Sequence, residues 1–219
     1  MNRRSLLMGA GAFAAGRVAP AQIPIYPGQP APLQTAQIRF PEVVLAAEIQ
    51  QCPEWCWAAS ISAVFRFFGH NVDQKSIVVR KYGQLVCGPS QTAAQIAAFL
   101  NTQWVDETTQ APFTCTLTAA FDAMAHVNAI NNAVIVNELL NQRPVVYCNI
   151  SHCMVIVGVS YIPTQPVPAI QSVTVMDPWP YSPRLHPLTP AEMVPAIFNP
   201  VGQYMGGGQM SFLATVAVS

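Results

Sequence analysis

Hydrophobic positions along this chain follow two rhythms, and the change falls near Pro144. Between Cys56 and Gly69, the residues Trp57, Ile61, Val64, Phe65 and Phe68 recur at steps of three and four. That spacing lines one face of a helix, and Gly69 supplies its stop. The polar, proline-containing run before it, from Gln50 to Glu54, ends abruptly, which sets Cys56 at the N-terminal end of the helix. The pattern predicts a second helix over 74–82, capped by Asp73 and stopped by Gly83, and a third capped by Ser90, with Ala94, Ile96, Ala97, Phe99 and Leu100 as its apolar face. Residues 113–117 alternate as a short strand. His126 falls in a stretch of helical character, and 132–141 is helical with Val134, Ile135, Leu139 and Leu140 inward. From Pro144 onward the apolar runs become short and β-branched, bounded by Pro, Asn and Gly. Residues 144–149, 154–159, 173–176 and 210–218 read as strands. Helices first and strands later predict an α+β fold: an N-terminal helical lobe packed on a C-terminal antiparallel β-sheet lobe, with the site in the cleft between them.

The ends of the chain refine this division. Arg3-Arg4 precede an apolar segment from Leu6 to Gly16, and Ala19-Pro20-Ala21 gives a small-x-small cleavage site. Residues 1–21 therefore read as an export signal of the twin-arginine type, with a general secretory signal as the second choice, and the mature chain begins near Gln22. Residues 22–41, with Pro24, Pro27, Pro30 and Pro32, read as a proline-rich arm or linker, which leaves 42–219 as the folded domain. The expected location is outside the cytoplasm, periplasmic or extracellular.

Composition narrows the partners. Of 219 residues 52% are hydrophobic and only 9% charged, well below the roughly 25% of an average domain. Without Arg3, Arg4 and Arg17, seven basic side chains face ten acidic ones. No basic stripe remains for nucleic acid or an anionic membrane, and no apolar run approaches the roughly 20 residues of a membrane span. In an oxidising compartment most of the six cysteines should pair. Cys52 with Cys87 is the preferred bridge, because it ties the loop before the helix to the Cys87-Gly88-Pro89 turn. A second bridge draws on Cys115, Cys148 and Cys153, and one of these stays free.

A thiol at a helix start meets unpaired backbone N–H groups and the positive end of the helix dipole, which favour a thiolate nucleophile at Cys56. Such a nucleophile needs a base, and the base needs an orienting group. Among four histidines, His70 follows a helix stop, His126 lies in the helical stretch, and His186 lies in the loop 183–187. His152 instead opens the most apolar strand. That strand and the one ending at Asp177 form a natural antiparallel pair, since the point midway between 152 and 177 falls in the proline-rich connection 163–168. His152 and Asp177 should therefore meet at one sheet edge. Acyl transfer also needs oxyanion donors. The Cys56 N–H is one, and a Gln50 side chain folded back by the Pro53 loop is the other, with Gln51 a neighbour of the same chemistry.

Taken together, Gln50, Trp55-Cys56-Trp57-Ala58-Ala59-Ser60, His152 and Asp177-Pro178-Trp179 resemble the motifs of papain-like cysteine peptidases, closest to the short bacterial branch of AvrRpt2-type and C39-like peptidases. The resemblance covers about 49–219. It implies that Cys56 is the nucleophile, His152 the general base and then acid, Asp177 the orienter and Gln50 an oxyanion donor. It also implies a shielding or substrate-binding role for Trp55, Trp57 and Trp179, and a peptide or protein substrate with no cofactor and no metal. The departures are a signature reduced to Trp55-Cys56-Trp57, a Cys-to-His interval of 96 residues against roughly 130–150 in the papain group, and Asp in place of Asn. Three other readings compete: a metal site from Cys52, Cys56, His152 and Cys153, a transglutaminase-like amide-transfer enzyme, and an exported papain-fold binding module without turnover.

Overall fold

The nucleophile candidate begins a helix that is buried on every side. In the computed structural model, which describes residues 31–39, 49–90, 92–196 and 208–219, α1 runs Cys56–Phe67 and its residues from Cys56 through Phe65 are all buried. The apolar stripe carries the large side chains. Ala58, Ala59, Ser60, Ser62 and Ala63 fill the remaining faces, and their small size lets neighbours close in all round. Gly69 ends the turn after the helix with φ +89°, a conformation that suits a residue without Cβ. Helix α2, Gln74–Tyr82, starts at Asp73, whose side chain accepts the Lys75 N–H, and ends at left-handed Gly83.

The third helix, α3, spans Ala93–Phe99. Its cap is Thr92 rather than the expected Ser90. Thr92 is extended and accepts the Gln95 N–H on its hydroxyl, while the Ser90 carbonyl accepts the Thr92 N–H in the preceding turn. Helix α4, Asn132–Leu140, is capped by Asn131.

The strands are β1 Gln34–Gln37, β2 Thr102–Val105, β3 Pro112–Asp122, β4 Val127–Asn128, β5 Val145–Asn149, β6 Cys153–Ile162, β7 Ala169–Met176, β8 Leu185–Pro187 and β9 Met210–Val218. They form one antiparallel sheet in the order β2-β3-β9-β5-β6-β7-β8, with β1 on β6 and β4 on β3. The fold is α+β, but the sheet does not belong to the C-terminal runs alone. It recruits β1 through β4 as well, and β9 sits between β3 and β5 at its middle. Strand β6 is long enough to take two neighbours on one edge: β5 covers its first half and β1 its second. Helix α1 packs on β5 and β6.

Two sequence expectations change here. The strand expected over 113–117 extends to Asp122 because its far half pairs with β9. His126 is not helical. It closes the β3–β4 turn at φ +55°, and Asp122 accepts the Met124 and Ala125 N–H groups to hold that turn. The described residues belong to one compact unit, Ala31–Ser219. The expected export segment 1–21 and the arm to residue 30 lie outside the described residues. The described end of the arm is strand β1. Among the described residues no helix is long and apolar enough to cross a membrane.

Two disulfides are present, Cys52–Cys87 and Cys148–Cys153. The second joins residues already opposite each other in the β5–β6 ladder. Cys115 is the thiol left over beside Cys56, fully buried, and burial pushes its pKa up to about 12.

An aromatic cluster gathers around Phe65, with the rings of Trp104 and Phe113 each 5.3 Å away. Replacing Phe65 by Ala should cost about 3–5 kcal/mol of folding free energy, because such a packed site cannot collapse on the void. Urea denaturation followed by far-UV circular dichroism measures it.

Candidate active site

Three consequences of the chain's local chemistry converge on one point. The first is the position of Cys56, the opening residue of α1. No side chain caps that helix, so the first-turn N–H groups are not consumed by a capping oxygen. Behind Cys56, the indole of Trp55 donates to the Val86 carbonyl at 2.9 Å and that of Trp57 to the Gly88 carbonyl at 3.2 Å. Together with the Cys52–Cys87 bridge, these bonds lock the 86–88 loop against the helix start. Trp55 is buried behind the helix start. Trp57 does line the cavity.

The second is the β6–β7 hairpin. Val155 pairs with Met176, and this register, continued, sets Asp177 opposite Met154. The turn is thus centred one residue later than the midpoint of 152 and 177. His152 and Asp177 become a diagonal pair offset by two positions, which keeps both on the same face. Their side chains meet with His152 Nε2 2.6 Å from Asp177 Oδ1. Asn149 positions the histidine backbone, its Oδ1 accepting the His152 N–H at 2.8 Å. Nε2 is engaged by Asp177, and Cys56 lines the same cavity as the His152 ring.

The third is the Asp177-Pro178-Trp179 corner. Pro178 ends the strand, and the Trp179 N–H donates to Asp177 Oδ1 at 2.8 Å. The Trp179 ring stands at 87° to the His152 ring with centroids 6.4 Å apart.

His186, expected in a loop, instead belongs to β8, and its Nε2 lies 3.1 Å from Asp177 Oδ2. The signal was available. Trp179-Pro180-Tyr181-Ser182-Pro183 is a turn of the same kind as 163–168, and folding the chain back at its centre lays His186 beside β7.

Gln50 is buried near the same corner. Its Nε2 donates to the Cys52 carbonyl at 3.0 Å and the Pro53 carbonyl at 2.8 Å, so both amide hydrogens serve its own loop. Its backbone N–H donates to the Pro178 carbonyl at 2.9 Å. Gln51 is exposed.

The electrostatics follow from burial and pairing. Burial alone would lower the His152 pKa, but the hydrogen bonds to Asp177 and Cys56 and their charges outweigh it and hold the ring at about 9. Burial likewise pushes Asp177 up, while the His152 hydrogen bond, the Trp179 N–H, the imidazolium charge and His186 bring it down to about 2. A cavity of about 380 Å³ opens beside Cys56 and His152, walled largely by apolar groups such as Ile96, Ile150 and Phe212. The thiolate-metal alternative loses its ligands, because Cys52 and Cys153 are both in disulfides.

A model of the Peptidase_C39 like family matches residues 37–198. No curated protein and no solved structure matches the chain.

The His152–Asp177 pair makes stability depend on pH in both directions. His152 has a raised pKa, so its contribution is full below 6.5 and is lost as pH rises through about 9. Asp177 has a lowered one, so its contribution is full above 3.8 and is lost as pH falls through about 2. The stability difference between wild type and Asp177→Asn should therefore be largest between pH 3.8 and 6.5 and shrink on either side. Chemical denaturation across pH measures it.

Proposed function

Because the chain belongs to the Peptidase_C39 like family, we propose that it is an exported papain-like cysteine peptidase acting on peptide or protein substrates. One observation carries this reading: the helix-start thiol of Cys56 and the His152 ring line one cavity, and the ring meets the buried carboxylate of Asp177 at 2.6 Å. The helices after residue 56 and the sheet form the two sides of the substrate cleft, with the cavity beside Cys56 as its deepest part.

His152 takes the Cys56 proton, and the thiolate attacks the scissile carbonyl carbon. The oxyanion is met by the Cys56 N–H at the uncapped start of α1. Gln50 is the second donor, and it gives up one of its two loop carbonyls to reach the oxyanion. Imidazolium His152 passes the proton to the leaving nitrogen as the C–N bond breaks, leaving a thioester. Water then loses a proton to His152, attacks the thioester and releases the carboxylic acid as the C–S bond breaks. Asp177 holds the ring and stabilises its charge throughout.

A vinyl-sulfone or epoxide probe should alkylate Cys56 in the folded protein and spare Cys115, with the adduct located by mass spectrometry. Peptide hydrolysis should fall on the order of 10³-fold or more in Cys56→Ala and His152→Ala. Activity should decline as pH rises through about 9, where His152 loses the proton owed to the leaving amine, and Asp177→Asn should move that limb downward. Equal labelling of Cys56 in His152→Ala would overturn the mechanism.

Export is supported by Arg3-Arg4 ahead of an apolar segment and by two disulfides, which persist in oxidising compartments. The mass of chain recovered from outside the cytoplasm should correspond to a start near Gln22. Full-length chain there would refute cleavage at Ala21.

A further inference from the structure

Asp177 is 4% exposed, and a buried carboxylate needs donors on both oxygens. Oδ1 has two, the His152 ring at 2.6 Å and the Trp179 N–H at 2.8 Å. Both act on the same atom, which leaves Oδ2 to be met from elsewhere. The side-chain contact described for Oδ2 is His186 Nε2, at 3.1 Å from the opposite side. His186 reaches it from β8, held by the pairing of Val175 with His186 and by the Asp177 N–H donating to the Arg184 carbonyl at 3.0 Å.

We propose that His186 is a positioning residue of the site, a second histidine that clamps the free oxygen of Asp177 and thereby fixes the plane in which the carboxylate holds His152. The proposal rests on the peptidase reading for its consequence in turnover, but its geometry stands apart from it. The rings of His152 and His186 grip the two ends of one carboxylate, so Asp177 can rotate only by breaking one of the two contacts. The orientation of the base is then set from two strands, β6 on one side and β8 on the other.

The proton inventory says what the ring must supply. His186 Nδ1 lies 3.0 Å from the Pro187 carbonyl oxygen, which can only accept, and Nε2 faces Asp177 Oδ2. A ring with both nitrogens protonated makes both bonds, and a ring with one proton gives up one of them. The charged and titratable groups facing Asp177 are His152, His186 and Arg184. The Arg184 guanidinium donates to the backbone carbonyl of Asp177, and Cys56 lies beyond His152.

Two measurements test the clamp. The first follows the His152 ring by ¹H–¹⁵N NMR in Cys56→Ala protein, which needs no turnover. Adding His186→Ala should move the His152 titration midpoint down toward 6.5, its ordinary value, because a rotating Asp177 loses its grip. Adding His186→Gln instead, which keeps an N–H donor near the position of Nε2, should restore most of the shift. The second is kinetic: in the otherwise wild-type enzyme His186→Ala should lower kcat about 10-fold with KM nearly unchanged, with recovery in His186→Gln. His186 is partly exposed on the edge strand β8, so both variants should fold, which near-UV circular dichroism checks. An unmoved His152 midpoint in folded His186→Ala overturns the proposal, as does an equal drop in His186→Gln. A wild type with no turnover would overturn the peptidase reading and leave the NMR titration to decide His186 by itself.

Discussion

A carboxylate removed from water is the constraint on which the rest of this fold depends. The cost of burying Asp177 is offset only if donors arrive from several directions, and here they come from separate pieces of chain: His152 before β6, the Trp179 N–H beyond β7 and His186 on β8. Each donor is delivered by strand pairing rather than by local sequence. The β6–β7 and β7–β8 registers therefore have to be right to the residue, since a slip of one would turn a side chain to the opposite face. A carboxylate met in this way is held ionised, and an ionised Asp177 in turn keeps His152 charged well above the range of a free histidine. Structural specificity and site electrostatics are two results of one interaction.

The other half of the site depends on a different device. Cys56 has no strand register to place it, only the start of a helix that must be pinned from behind. The pins are the Cys52–Cys87 bridge and two indole N–H groups reaching the carbonyls of Val86 and Gly88. Tryptophan suits this task because its ring fills the core while its single donor fixes a loop. Lys81 continues the arrangement, with its ammonium 5.1 Å from the centroid of the Trp57 ring and hydrogen-bonded to the Pro89 carbonyl. The loop that walls the cavity is thus held by side chains flanking Cys56.

What was legible in the sequence follows the same division. Periodicity exposed α1 because its large residues fall on one stripe, and the Asp73 and Gly83 ends of α2 because caps are local chemistry. The approach of His152 to Asp177 was legible because a proline-rich turn marks the centre of its hairpin. Thr92 as a cap, by contrast, depends on which of two nearby hydroxyl residues turns extended, and both sequences read alike. His126 looked helical because 118–128 contains several good helix formers, yet β9 supplied a partner to β3 and tertiary pairing overrode propensity. The recruitment of β1 and β2 into the sheet was hidden for the same reason: a four-residue strand carries almost no pattern of its own.

The two halves still have to be set against each other, since a thiol fixed to its helix and an imidazole fixed to its sheet do not meet unless the spacing between them is also fixed. Helix α1 packing on β5 and β6 gives that spacing coarsely, through side chains that can adjust. A finer link is the hydrogen bond from the Gln50 N–H to the Pro178 carbonyl. It joins the loop that leads into Cys56 to the residue that follows Asp177, backbone to backbone, with no rotatable side chain between. The same residue's amide then holds that loop closed through the Cys52 and Pro53 carbonyls. Gln50 therefore has structural work of its own: its backbone measures the loop against the sheet corner, and its side chain holds the shape of the loop that leads into Cys56. Loss of its side chain alone would relax the loop while leaving the backbone link in place, which separates the two contributions by chemistry rather than by position.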